Sequence, residues 1–300
     1  MGHTMTPLRY PGGKTRLFGF VNQIFVENEI EGGVYIEPYA GGAGLGLKLL
    51  FKNTVNRMII NDINRSIYSF WYSVLNSTDD LCRLIQDTPV TIDEWLQQKR
   101  IQEVAEIDLL SLGFSTFFLN RTNRSGIILG GVIGGTAQEG DLRLDARFPK
   151  HKLIEKIQRV ASYRNHIEIR NQDAVEFIHS IAPDLNENSL FYLDPPYFKK
   201  GAGLYENHYE LVDHTAVGTA IQNMPHKWLV SYDNVPEIRN IYDGYRNIQY
   251  ELSYSIGRKY QGEEIIFFSP DLVFPNIHPV TLKPLGDEME GLCFSYIGIF

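Results

Sequence analysis

Ser189-Leu190-Phe191-Tyr192-Leu193-Asp194-Pro195-Pro196-Tyr197 is a short apolar run closed by an acid, two prolines and an aromatic residue. A continuous apolar run bounded by turn signals predicts a strand covered on both faces, as in a parallel sheet. The prolines end it, because neither can donate to the ladder. Pro195 also biases Asp194 towards an extended backbone. The stretch therefore holds a carboxylate, two backbone carbonyls and an aromatic face stiffly at the carboxyl end of a sheet, the edge where open α/β sheets bind ligands. Taken alone, it is equally a Pro-rich turn in which Asp194 caps a helix or faces solvent.

The group that such an edge suits is an amino group conjugated to a ring. Its lone pair is delocalised, so it is a poor nucleophile. Hydrogen bonds from its N–H groups to Asp194 and to the Pro195 carbonyl would draw the nitrogen towards a tetrahedral shape. They would also stabilise the positive charge that grows during attack on a methyl sulfonium. Tyr197 would stack on the ring. Adenine N6, cytosine N4, an RNA base and a glutamine amide are all compatible acceptors.

Outward from this strand, the same grammar repeats. His166-Ile167-Glu168-Ile169-Arg170 predicts a strand with Asp173 at its edge, able to reach a nucleobase amino group, and a helix over 174–181. Arg57-Met58-Ile59-Ile60-Asn61 predicts another, with Asp62 at its end, where an acid holds ribose hydroxyls in nucleoside-binding folds or caps the next helix. Val34-Tyr35-Ile36-Glu37 runs into Pro38-Tyr39-Ala40-Gly41-Gly42-Ala43-Gly44 and then a helix. The glycine spacing is wrong for a dinucleotide fingerprint, and Glu37 would repel a pyrophosphate but attract an ammonium. Leu8-Arg9-Tyr10-Pro11-Gly12-Gly13-Lys14-Thr15-Arg16 is a cationic glycine loop preceding a helix. Leu8 stands where a P-loop needs glycine, which excludes nucleoside triphosphate binding. Downstream, Phe198–Tyr209 reads as a tyrosine-bearing loop able to close over a substrate, 213–223 as a helix, and Lys227–Ser231 as a strand. The runs 247–253 and 263–268 read as an antiparallel pair, with Arg258 and Lys259 exposed between them.

From Ile67 to about Leu119 the periodicity is helical, and no sheet strand resumes before Pro149. The reading is an inserted, mainly helical domain over 67–150, within a domain made of 1–66 and 151–300. Phe117-Phe118-Leu119-Asn120-Arg121-Thr122-Asn123-Arg124-Ser125-Gly126 leaves a helix abruptly, and 127–145 reads as a hairpin or a long ordered loop. Arg121, Arg124, Arg143 and Arg147 suit phosphates or guanine edges, while Arg and Asn equally cap helix ends and tie loops together. Net charge is −8, yet Phe118–Arg170 holds ten Lys and Arg against five Asp and Glu. A basic segment in an acidic chain fits one localised anionic partner. No apolar run is long enough for a membrane span, no leader-like segment opens the chain, and Cys82 and Cys293 form no metal cluster or disulfide framework, so a cytoplasmic protein is expected. His208 and His214 lack metal-ligand company.

These motifs, in this order, resemble the DNA adenine methyltransferase (Dam) family of S-adenosylmethionine-dependent N6-adenine enzymes, from Tyr10 to about Phe268. The resemblance implies a Rossmann-like α/β methyltransferase sheet with the helical insert as target-recognition domain. It implies cofactor contacts from Tyr10, Gly13, Lys14, Glu37, Pro38, Gly41, Asp62, Asp173 and Asp194, with Glu37 on the cofactor's ammonium. Asp194, Pro195, Pro196 and Tyr197 would hold an adenine flipped out of double-stranded DNA, and transfer would be direct. DNA contacts would come from Arg121, Asn123, Arg124 and Arg143, and no metal is implied. A chain that only bound DNA would have no use for Tyr10, Lys14, Asp62 and Asp194 together. Ser125-Gly126 replaces the familiar Asn-Gly, so the target sequence is not carried over. The chain is expected to act alone or beside a cognate restriction endonuclease.

Overall fold

In a computed structural model the protein is described over residues 5–10, 12–199, 209–256 and 258–285. Each predicted strand–turn–helix unit forms. A 3-10 turn, Lys14–Leu17, leads into α1 (Phe18–Glu27), β1 (Val34–Glu37), α2 (Gly44–Phe51) and β2 (Arg57–Asn61). Five helices follow: α3 (Arg65–Asn76), α4 (Thr78–Asp87), α5 (Ile92–Gln102), α6 (Leu109–Thr122) and α7 (Lys150–Ala161). The sheet resumes with β3 (Ile167–Arg170), α8 (Ala174–Ile181), β4 (Ser189–Leu193), α9 (Leu211–Gln222), β5 (Lys227–Asp233), α10 (Pro236–Ile241), β6 (Asn247–Ile256) and β7 (Arg258–Phe268).

The sheet order is β3-β2-β1-β4-β5-β7-β6. The first five strands are parallel, and β7 is antiparallel to both β5 and β6. The chain winds outward from β1 through β2 to β3, then from β4 to β5 on the other side. The direction of winding therefore reverses between β1 and β4, which pair Val34 with Ser189 and Ile36 with Phe191. A reversal of this kind leaves a crevice at the carboxyl ends of the two strands. Glu37 ends one and Asp194 follows the other.

Alternate residues along each strand enter opposite cores, as the strand period requires. Tyr35, Met58, Ile60, Leu190, Tyr192 and Ile266 face one cluster; Ile36, Ile59, Phe191, Leu193, Val230 and Ile265 face the other, beneath α8, α9 and α10. Phe70, Trp71, Phe117 and Phe118 from α3 and α6 belong to the first cluster, so the helical insert is packed against the same core as α1 and α2. Burying an aromatic side chain of this size contributes up to about 3 kcal/mol.

Of the two readings of 127–145, the ordered loop is the one that forms: Val132 makes an isolated bridge to Asn123, a 3-10 turn spans Leu144–Arg147, and there is no hairpin ladder. The glycines there, with Gly134 and Gly135 at φ 82° and 72°, bend the chain too often for a ladder. Arg258 and Lys259 lie within β7, whose pairing with β6 extends to Ile256–Arg258. The start of the tail is anchored: the Asn28 side chain bonds both backbone groups of Val273, and Phe274 stacks on Phe268 at 4.3 Å. Most of the expected closing loop (200–208, with Lys200, Gly201 and His208) and Cys293 lie outside the described residues.

Candidate active site

The loop before α1 threads under the crevice and delivers Lys14. Its ammonium is 3% exposed and 2.9 Å from Asp194 Oδ1. It also donates to the Tyr197 hydroxyl at 2.7 Å and the Gly12 carbonyl at 3.1 Å, and lies 3.8 Å from Glu264 Oε1. It sits 5.0 Å from the Tyr197 ring centroid. Burial alone would drive this ammonium towards neutrality; Asp194, and then Glu264, outweigh it and raise its pKa above the ordinary lysine value.

Asp194 shows the converse balance. Burial pushes its pKa up, against the pull of Lys14 and of the Ser231 hydroxyl, which donates to Oδ1 at 3.0 Å. Tyr192 pairs with Ser231 in turn, at 3.0 Å. Among the described residues both side-chain contacts to Asp194 fall on Oδ1, while the side chain keeps 22% of its surface exposed. Its second oxygen is the acceptor left for an incoming N–H group. Tyr197 donates to Glu264, as does Tyr250, so one buried carboxylate ties two tyrosines beneath the crevice. Asp233 accepts the backbone N–H groups of Phe198 and Lys199, each at 3.0 Å, and so fixes the chain just after Tyr197.

Opposite, Glu37 is 5% exposed, and its Oε2 has no hydrogen-bond partner among the described residues. Burial first, then the charges of Asp194 and Asp62, lift its pKa well above the carboxylate range. A buried, unpaired carboxylate oxygen is costly and calls for a cationic donor. Asp62 accepts from Gly41 N–H at 2.9 Å and Asn64 N–H at 3.0 Å; burial nonetheless raises it to about 6. Tyr10 roofs the glycine turn: a Cβ on Gly41 or Gly42 would come within 2.7 or 2.9 Å of it. Gly41 also has φ 43°, so a side chain is excluded twice over. Asn61, fully buried, clamps Pro38 and Gln172 carbonyls at 3.0 Å each and so joins two turns of the crevice wall. Gly13 closes the cationic loop through its N–H to Tyr10. Asp173 caps α8, accepting from Val175 N–H at 2.9 Å.

The basic residues divide. Asn123 is wholly buried; Trp95 donates to its oxygen, and its amide donates to the Ile127 and Ile128 carbonyls. In the structure Asn123, expected at the DNA, instead holds the loop, with its amide engaged on both sides. Arg121 bonds the Arg147 and Pro7 carbonyls, and burial with the nearby Arg9 and Arg147 charges lowers it to about 10. Arg124, Arg143 and Arg147 are exposed. Asn120 ties the two regions, exchanging hydrogen bonds of 2.8 and 2.7 Å with the Arg9 backbone. Trp71 of α3 donates to the Gly41 carbonyl at 2.9 Å, so the insert also braces the glycine turn.

Sequence reasoning missed Glu264, Asp233, Asn120 and Trp71 as parts of the site. A signal for Glu264 was present: it shares strand parity with Ile266 and Phe268, so it must point into a core. Replacing Lys14 by Met leaves Asp194 and Glu264 as adjacent, unpaired acids. We expect a loss of about 3–5 kcal/mol at pH 8. The loss shrinks towards pH 5, because Asp194, whose folded-state pKa burial already raises, takes up a proton and sheds the repulsion. Urea titrations at the two pH values check this; equal losses would contradict it.

Among the described residues no helix is long and apolar enough to cross a membrane, and no group of three potential metal ligands occurs. Among solved structures, a protein of Pyrococcus horikoshii described as a candidate RNA methyltransferase shares 10% identity at a TM-score of 0.41, covering 84% of this chain and 83% of that one. An S-adenosylmethionine-dependent methyltransferase of Agrobacterium tumefaciens shares 12% identity at 0.25, covering 61% and 63%. Type II methyltransferase M.MjaIII of Methanocaldococcus jannaschii is 24% identical over 209 residues, 63% of this chain and 68% of that protein. The family model for D12 class N6 adenine-specific DNA methyltransferases matches residues 10–256. With that match spanning most of its length, the chain belongs to the D12 class of adenine-specific DNA methyltransferases.

Proposed function

We propose that the chain takes the methyl group of S-adenosylmethionine and places it on N6 of an adenine flipped out of duplex DNA. The observation that carries this reading is the pair of acids across the β1–β4 crevice: Glu37, buried with an unpartnered oxygen, and Asp194, with one oxygen engaged and one to offer. One acid is fitted to a cation and the other to a neutral N–H donor.

The cofactor, when bound, supplies a methyl group on a sulfonium. Glu37 would take its ammonium and Asp62 its ribose hydroxyls, while Tyr10, Gly13, Pro38 and Gly41 shape the pocket. Lys14 would hold Asp194 ionised and oriented, as its ion pair at 2.9 Å supports. Asp173 caps α8, and any contact to the adenine moiety would use its remaining acceptor capacity. Asp194 and the Pro195 carbonyl accept hydrogen bonds from the target amino group and stabilise the charge it gains. Tyr197 packs on the base. Flipping is needed because the amino nitrogen is not open to attack within a stacked pair.

The insert over 67–150 would select the sequence, with Arg124 and Arg143 at the DNA and Arg121 supporting them; residues 1–66 and 151–300 would form the catalytic domain. The uncompensated charges of Arg9, Arg121 and Arg147 support a polyanionic partner there.

Asp194→Ala should abolish transfer of labelled methyl to duplex DNA and, by leaving the buried Lys14 ammonium short of its nearest acid, lower the melting temperature, while the folded variant keeps most of the DNA affinity; turnover near wild type would refute the assignment. Cofactor affinity should weaken as pH falls, because Asp62 takes a proton at about 6 and Glu37, whose pKa is also raised, does the same. Asp62→Asn should bind weakly and lose the Asp62 step, keeping only the dependence that Glu37 contributes. A flat wild-type profile from pH 7.5 to 5, or an unaltered profile in the variant, would rule out the ribose role.

A further inference from the structure

We propose that Glu264 is a positioning residue for methyl transfer, fixing the Tyr197 ring and drawing part of the Lys14 charge away from Asp194. The inference rests on the reading of Asp194 and Tyr197 given above. Glu264 is fully buried in β7, where a lone carboxylate is expensive unless every lone pair is used. Here each oxygen is used: Tyr197 donates to Oε1 and Tyr250 to Oε2, with the Lys14 ammonium 3.8 Å away.

The sheet register explains why this residue reaches the site. Glu264 is paired across β5 with Asp233 and across β6 with Tyr250. Asp233 grips the backbone immediately after Tyr197. Neighbouring residues of β5 and β7 therefore hold Tyr197 at both ends: Glu264 takes its hydroxyl and Asp233 the amides that follow it. The antiparallel extension of the sheet thus sets the plane of the ring meant to receive the base. A charge-assisted bond to an ionised carboxylate is stiffer than one to a neutral group, which suits this task.

The second part concerns charge. Lys14 lies between two acids, Asp194 at 2.9 Å and Glu264 at 3.8 Å. An ammonium shared by two carboxylates polarises each less than one devoted to a single partner. Glu264 thereby leaves Asp194 with more electron density for the target N–H. Glu264→Gln keeps the shape and much of the hydrogen bonding, and removes the charge.

The test is single-turnover transfer of labelled methyl from S-adenosylmethionine to mixed-sequence duplex DNA, with cofactor affinity and melting temperature measured alongside. Glu264→Gln should slow transfer by about tenfold to a hundredfold. Its cofactor affinity should stay within about threefold of wild type, a change in the chemical step and not in binding. Tyr197→Phe keeps the ring and deletes the hydroxyl, with its bonds to Glu264 and to Lys14; it too should slow transfer. The double variant should be slower than Glu264→Gln by less than the factor Tyr197→Phe shows alone, because both changes cut the Tyr197–Glu264 connection. Should Glu264→Gln not fold, Tyr197→Phe still decides: a wild-type rate there overturns the proposal. So do a Glu264→Gln rate within about twofold of wild type, losses of rate and cofactor affinity in equal measure, or multiplicative effects in the double variant. A wild-type protein that labels no DNA would overturn the proposed function itself, and this inference with it.

Discussion

One buried ammonium holds the crevice together. Lys14 is almost sealed from solvent, yet Asp194 and Tyr197 after β4, Glu264 of β7 and the Gly12 carbonyl of its own loop converge on it. A charge placed there without those partners would cost several kcal/mol. The same set, with the charge present, fixes each acid and ring against the others. Most of the remaining architecture supplies these partners at the right place: Asp194 directly follows β4, β7 carries Glu264, and the first loop leads to Lys14.

The second constraint is the sheet topology. Because winding reverses between β1 and β4, two strand ends lie open side by side, one ending in Glu37 and the other leading to Asp194. The glycine turn after β1 is braced by Asp62, Tyr10 and Trp71, so this side of the crevice is held by residues from the sheet edge, the first loop and α3 together. Asn120 then links the Arg9 backbone to the loop that carries the exposed arginines. The exposed arginines and the crevice are thus joined through packed, hydrogen-bonded residues.

Much of this was legible in the residues. Short apolar runs bounded by glycine, proline or an acid marked β1, β2 and β4 well, because such strands are covered on both faces and leave an unbroken apolar signal. The acids at their ends were legible for the same reason. The limits came from long-range pairing. Glu264 lies 67 residues from Tyr197, and only the β5–β7 register brings them together. Asn123 looked like a recognition residue because Asn beside Arg is common at DNA; its burial against Trp95 depends on how α5 packs on α6, which local pattern does not encode. The stretch 127–145 alternates enough to imitate a hairpin, but its glycines turn the chain instead.

The central claim is that these parts methylate adenine in DNA. Purified protein should be incubated with S-adenosylmethionine and unmodified mixed-sequence duplex DNA, and the product read by single-molecule sequencing for modified bases. The account predicts N6-methyladenine confined to one short motif. Modified cytosine instead, or no modified base from protein shown to bind the cofactor, would contradict it.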